Sequence, residues 1–274
     1  MRLAIILFLV GSLLGGESTA RAIEDAIPVN PEQILERALR QNFAPNYARV
    51  TLENVDTKRG KRRLKGELGV WTVERDNEYC LFGQFFAPTT VRNTTMLVME
   101  RAIDGGSNDY WMYLPSIRNR RRISGASRGD AFFGTELSQG DMEFRRGEHF
   151  SVLRMEESML DDEPVYVFVL RPRFASGYDQ TTMMIAKSDG ALLRVTQEKM
   201  QGTELVPVRM IDIGRKNIMA VGGRALPTKL VAWDPKTPER TTEVTWKERV
   251  IDPTIRVPVC TQQALQQGRK PPKK

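Results

Sequence analysis

The stretch Tyr110-Trp111-Met112-Tyr113-Leu114-Pro115 leads into Arg118-Asn119-Arg120-Arg121-Arg122-Ile123, and then into Ser127-Arg128-Gly129-Asp130-Ala131-Phe132-Phe133-Gly134-Thr135. An aromatic-rich run of this length fits a pleated, half-buried strand, and the proline stops it. Alternate strand residues face opposite sides, so Trp111 and Tyr113 share one face and Tyr110 and Met112 the other. Both faces are apolar, as in a sheet covered on each side or a barrel wall under a lid. The five arginines from Arg118 to Arg128 cannot be buried without partners. An apolar wall thus meets a cationic rim, which is one way to hold an amphiphile.

Outward from this stretch the same strand signals recur. Arg49 to Val55 and Leu64 to Val73 flank a turn at Thr57-Lys58-Arg59-Gly60, and Glu78 to Phe86 follows Asp76-Asn77. Met96 to Arg101 and Asp109 to Leu114 flank Asp104-Gly105-Gly106, a good hairpin turn. Val165 to Leu170, Thr181 to Lys187, Leu192 to Met200, Leu205 to Ile213, Leu226 to Trp233 and Thr241 to Val250 continue the series. In the last strand Thr242, Val244 and Trp246 face one way, while Glu243, Thr245, Lys247 and Arg249 face the other. One helix stands out: Pro31 to Arg40, capped by Asn30, with Ile34, Leu35, Ala38 and Leu39 on one stripe. Many consecutive strands with short turns predict a mainly β protein built on one antiparallel sheet, strongly bent or nearly closed.

The N-terminus has Arg2, an apolar run from Leu3 to Leu14, and Ala20-Arg21-Ala22 as a small-x-small cleavage site. That reads as a secretory signal peptide over residues 1–22, followed by one domain over 23–262 and a basic, disordered tail over 263–274. No cysteine adjoins the cleavage site for lipidation, so the exported form is expected to be soluble in the periplasm. The formal charge is +7, and Arg269-Lys270-Pro271-Pro272-Lys273-Lys274 holds four of the positive charges. The body is close to neutral, which argues against nucleic acid as a partner. Cys80 and Cys260 are the two cysteines; an oxidising compartment permits a disulfide, but sequence gives no distance, so bonded and free forms both stand.

Catalytic and metal-binding patterns are weak. His149 is the single histidine, in the charged turn Arg145-Arg146-Gly147-Glu148, and reads as a surface residue. No G-x-S-x-G elbow occurs, and one histidine with two remote cysteines lacks zinc-ligand spacing. Asp161-Asp162-Glu163 reads as a solvated turn and Gly222-Gly223 as a hairpin turn. The expectation is a non-enzyme without metal or cofactor. Trp111, Tyr113, Phe132, Phe133, Val244 and Trp246 are the candidates for lining an apolar cavity, with plain core packing as the alternative. Arg118, Arg120, Arg121, Arg122 and Arg128 are either solvated charges or contacts to an acidic partner or lipid headgroup, since guanidinium forks suit carboxylate and phosphate. Asp130 is placed to pair with Arg128 or an earlier arginine.

The order Tyr113-Leu114-Pro115, Arg121-Arg122-Ile123, then Arg128-Gly129-Asp130-x-Phe132-x-Gly134 resembles the outer-membrane lipoprotein-sorting protein-like (LolA-like) family. Phe85-Phe86-Ala87-Pro88 followed by Val91-Arg92-Asn93-Thr94 extends the likeness. The chain departs from the family at Asn93, where glycine is usual, in Thr135 to Met142, and at Cys260, where an aromatic is common. The resemblance implies a single-domain half-open antiparallel β-barrel with a few helices forming a lid, whose apolar cavity binds the acyl chains of a lipid or lipoprotein for transport toward the outer membrane; the carrier is expected to be a monomer. It further implies work beside a resistance-nodulation-division-type inner-membrane exporter. An accessory or sensor module docking on such an exporter through the arginine-rich loop is the alternative.

Overall fold

The structure, a computed structural model, describes residues 30–41, 46–75, 78–100, 108–143, 145–251 and 260–268. The expected leader, the turns at Asp76-Asn77 and Asp104-Gly105-Gly106, and the basic residues 269–274 lie outside the described residues.

Helix α1 (Pro31–Arg40) begins where its sequence directs. The Gln33 amide donates to the Asn30 side chain at 3.2 Å, and Pro31 sits in the first turn, where its missing N–H costs nothing. Leu35, Ala38 and Leu39 are buried and join the main core.

The first set of strands is β1 (Asn46–Asp56), β2 (Lys61–Arg75), β3 (Glu78–Ala87), β4 (Thr95–Met99), β5 (Asp109–Leu114) and β6 (Asn119–Arg122). The second is β7 (Phe150–Leu160), β8 (Glu163–Pro172), β9 (Gln180–Ala186), β10 (Leu192–Gln201) and β11 (Glu204–Asp212). A small hairpin, β12 (Ile218–Val221) and β13 (Arg224–Pro227), precedes β14 (Lys229–Trp233) and β15 (Arg240–Ile251). Thirteen of these form one strongly bent, unclosed antiparallel sheet, ordered β6-β5-β4-β3-β2-β1-β15-β14-β11-β10-β9-β8-β7.

The order has a simple cause. β1–β6 and β7–β11 are two meanders, and β15 unites them by pairing with β1 from Asn46↔Ile251 to Asp56↔Arg240. β6 and β7 are consecutive in the chain yet lie at opposite edges of the sheet. The chain between them must therefore cross the molecule, and residues 123–143 do so over the inner face.

Turn chemistry explains most boundaries. Asp161 and Asp162 both adopt positive φ (49° and 66°) in the two-residue turn joining β7 to β8, as a primed hairpin turn requires. Gly222 and Gly223 do the same between β12 and β13. Several features differ from the sequence expectation, among them a short helix at Ala264–Gln267 within the expected tail. The run Leu226 to Trp233 is divided at Thr228, whose amide and hydroxyl both bond to the Asn217 carbonyl. Arg120 to Arg122 form an edge strand instead of a loop. β7 was not foreseen: as an edge strand it is held by its ladder to β8, and most of its side chains are exposed, so its apolar alternation is faint.

On the outer face of the first meander, Tyr47, Trp71, Val73, Phe82 and Leu97 pack with Ala264 and Leu265 of the short helix α2 (Ala264–Gln267). Cys80 and Cys260 are disulfide-bonded, and the Thr95 hydroxyl donates to the Leu265 carbonyl at 2.6 Å, fixing this segment on β3 and β4. On the second meander, Ile218 and Ala225 of the β12–β13 hairpin pack against Val165, Val167 and Leu193.

Candidate functional site

The inner face is covered by a strap, residues 123–143, which carries two short 3-10 helices, Gly125–Gly129 and Gln139–Met142. Its centre is a tight loop. Ala131 and Ser138 form a β-bridge, the Phe132 amide donates to the Leu137 carbonyl at 2.8 Å, and Phe133 and Gly134 take positive φ (51° and 66°). This turn drives Phe132 into the core, where it is fully buried, and sets Phe133 edge-on to it at 4.9 Å and 4.7 Å from Phe85.

Tethers from both halves of the sheet hold the strap. Asn54 of β1 donates to the Gly134 carbonyl at 2.8 Å, and the Glu136 amide donates to the Thr242 hydroxyl of β15 at 2.8 Å. Arg209 of β11 donates to the Glu136 carbonyl at 2.6 Å, Gln197 of β10 to Asp141 at 2.8 Å, and the fully buried Tyr110 hydroxyl to Gln139 at 2.9 Å. Burial raises the Tyr110 pKa and keeps that hydroxyl a donor.

Between strap and sheet lies a cavity of about 310 Å³. Its walls are Ala48, Val50 and Leu52 of β1; Leu68 and Val70 of β2; Leu81, Met96, Ile211 and Leu230; Val244 and Trp246 of β15; and Phe132, Leu137 and Met142 of the strap. Polar lining comes from Asn46, Thr72, Asp141, Glu143 and Arg249. The carboxylates among these are matched by the protein's own cations. Glu143 pairs with Arg128 and, at 3.1 Å, with Arg145; Asp141 lies 3.4 Å from Arg209.

The structure sorts the sequence candidates. Phe132, Val244 and Trp246 line the cavity, and Phe133 flanks it through Phe85. Trp111 and Tyr113 do not: the alternation on β5 holds, but Tyr110 and Met112 face inward, while Trp111 and Tyr113 join the outer cluster beneath α2 and Cys260. Two apolar faces on one strand leave the inward one undefined by sequence. Arg249 is a second reversal. β15 bulges at Lys247, so that Val50 is opposite Trp246 while Arg49 is opposite Glu248. The extra residue shifts the phase and brings Arg249 to the cavity side. The remaining walls on β1, β2 and β14 are ordinary inward apolar positions that nothing local marks as lining a void.

The arginines divide as well. Arg118, Arg120, Arg121 and Arg122 are exposed; Arg122 pairs with Asp109, and Arg121 donates to Ser127 at 3.4 Å. Charged residues on the edge strand β6 also discourage edge-to-edge pairing with another sheet. Arg128 is no rim residue: it is 3% exposed, pairs with Glu143, and donates to the Asn108 carbonyl at 2.9 Å. Asp130, expected as its partner, is exposed and outside that pair.

His149 is buried rather than on the surface. Its Nδ1 accepts from the Arg146 amide at 3.1 Å, and desolvation, aided by the Arg145 charge, lowers its pKa. It adjoins β7 and does not line the cavity. Among the described residues no helix is long and apolar enough to cross a membrane.

The bent, unclosed sheet matches the open barrel of solved LolA-like structures of low sequence identity. A domain from Vibrio parahaemolyticus described as an outer membrane lipoprotein-sorting protein domain superposes with a TM-score of 0.73 at 18% identity, covering 85% of this chain and 97% of that one. A DUF1329 family protein from Desulfovibrio piger gives 0.74 at 20%, covering 86% and 97%. A LolA superfamily protein from Nitrosomonas europaea gives 0.64 at 16%, covering 82% and 94%. A family model described as "-like: Uncharacterized protein" matches residues 81–267, and the chain belongs to that family. No curated protein matches it by sequence. What these structures share with the chain is its fold, that of the lipoprotein-sorting and LolA-superfamily domains.

Proposed function

We propose that this protein is a periplasmic, non-enzymatic carrier that shelters an acyl chain of a lipid or lipidated protein on its way toward the outer membrane. The carrying observation is the apolar cavity of about 310 Å³ between the sheet and the strap. Cores otherwise pack to near-crystalline density and leave few voids larger than a water molecule. The volume lies at the lower end of the ~300–1,000 Å³ typical of small-molecule sites, which suits one chain rather than several. Burying ten methylenes contributes ~8 kcal/mol gross. Association costs of ~4–15 kcal/mol offset much of that, so binding is reversible, as a carrier needs.

Export rests on the leader read over residues 1–22 and on the fold shared with a lipoprotein-sorting domain. The protein acts as a monomer and receives or delivers its cargo at a resistance-nodulation-division-type inner-membrane exporter. The exposed Arg118, Arg120 and Arg121 on and before edge strand β6 form the docking surface. Native mass spectrometry of protein isolated from its own envelope, with uptake of a fluorescent acyl probe, tests the carrier role. Co-purified lipid and saturable uptake are expected; neither signal on a folded sample would end the proposal.

A further inference from the structure

We infer that the cavity selects a single-chain anionic amphiphile, with the Arg249 guanidinium receiving its carboxylate or phosphate oxygens and the apolar walls its chain. The inference rests on the carrier reading and narrows it to a class of cargo.

Arg249 is the odd cation of the inner face. Its Nη1 is buried and has no hydrogen-bond partner among the described residues, and no carboxylate there forms an ion pair with it. It stacks over the Trp246 ring, 5.4 Å from the centroid. The other arginines near the cavity's carboxylates are matched: Arg128 and Arg145 to Glu143, Arg209 to Asp141. Burial without a counter-charge lowers the Arg249 pKa to about 10 by desolvation, so the group is still cationic at neutral pH. A buried, unpaired charge is costly to a fold, and an incoming oxyanion is the natural means of relieving that cost. The guanidinium fork fits carboxylate or phosphate in two-point contact.

Strand register places this charge at one end of the site. Ala48 is opposite both Arg249 and Val70, and Asn46 is opposite Thr72. Further along β1, Val50 is opposite Trp246 and Leu68, and Leu52 is opposite Val244. A polar end formed by Asn46, Thr72 and Arg249 thus grades into an apolar one, the layout of an anionic head followed by one tail. A neutral acyl ester or amide would fill the apolar end and leave the guanidinium unpaired.

The test is equilibrium binding of laurate, dodecyl phosphate and dodecanol to delipidated full-length protein at pH 7.5, for wild type, Arg249→Met and Arg249→Lys. Wild type is expected to bind at least one anion roughly 30-fold or more tighter than the alcohol, given the usual worth of a desolvated charge pair. The stronger of the two anions identifies the head as carboxylate or phosphate. Arg249→Met should bring that ratio close to one while leaving dodecanol binding unchanged or tighter, and Arg249→Lys should retain part of it. Equal binding of anions and alcohol by wild type, or a ratio that survives Arg249→Met, overturns the inference while leaving the carrier reading intact. Binding of none of the three defeats both. If Arg249→Met does not fold, the wild-type ratio and Arg249→Lys decide.

Discussion

The two faces of the first meander are built from the same strands and reach opposite ends. Outside, Tyr47, Trp71 and Phe82 are packed against α2, and Cys80–Cys260 fastens the cover. Inside, Ala48, Val50, Leu68 and Val70 meet a strap that stops short of them and leaves about 310 Å³ unfilled. Side-chain size helps explain the difference. The outer face carries large aromatics that reach their cover, whereas the inner face of β1 and β2 carries small and medium aliphatics. An apolar face states that it is covered, not that it is filled.

The contrast can be sharpened by truncation. Phe82→Ala, on the filled face, should cost ~3–5 kcal/mol in chemical denaturation and leave acyl-probe affinity unchanged. Cys80→Ser with Cys260→Ser should cost ~2–4 kcal/mol, again without altering probe affinity, because the bond closes a long loop on the outer side. Leu68→Ala, on the cavity wall, should cost only ~2 kcal/mol, the low end for such changes, because one side already borders a void. Leu230→Trp should fill the cavity at ~1 kcal/mol or less and abolish probe uptake. A similar loss of uptake in Phe82→Ala would break the assignment of faces.

A further prediction concerns pH. His149 is held neutral by burial, facing Arg145, Arg146, Glu148 and Glu100, whereas an unfolded histidine protonates near 6.5. The lowered folded pKa means that its contribution is present above pH 6.5 and drains away as pH falls below that value. Denaturation at pH 7.5 and 5.5 should show this loss in wild type and a flatter profile in His149→Gln. The smallest effect on stability belongs to the rim: Arg120→Glu with Arg121→Glu should change it by no more than ~0.5 kcal/mol while abolishing co-precipitation with the proposed exporter.

Much of this architecture was legible locally. Asn30 and Pro31 announce α1, and turn residues such as Gly222-Gly223 delimit strands, because caps and turns are decided by a few neighbouring residues. The inward face of β5 was not legible, since Trp111 and Met112 are both apolar and their cover arrives from distant segments. Strands β6 and β7 were hidden because edge strands depend on ladder hydrogen bonds more than on alternation. Alternation alone puts Arg249 on the wrong side, because a one-residue bulge inverts every later position of an otherwise unbroken period of two.

The central claim is that cargo occupies the inner face, and tryptophan fluorescence reads this directly. Trp246 lines the cavity, while Trp71 and Trp111 lie on the outer face. A bromine-labelled fatty acid should quench wild-type emission saturably. Quenching should largely vanish in Trp246→Phe and persist in Trp111→Phe. Quenching that survives Trp246→Phe and disappears in Trp111→Phe would put the chain on the other side of the sheet and contradict the account.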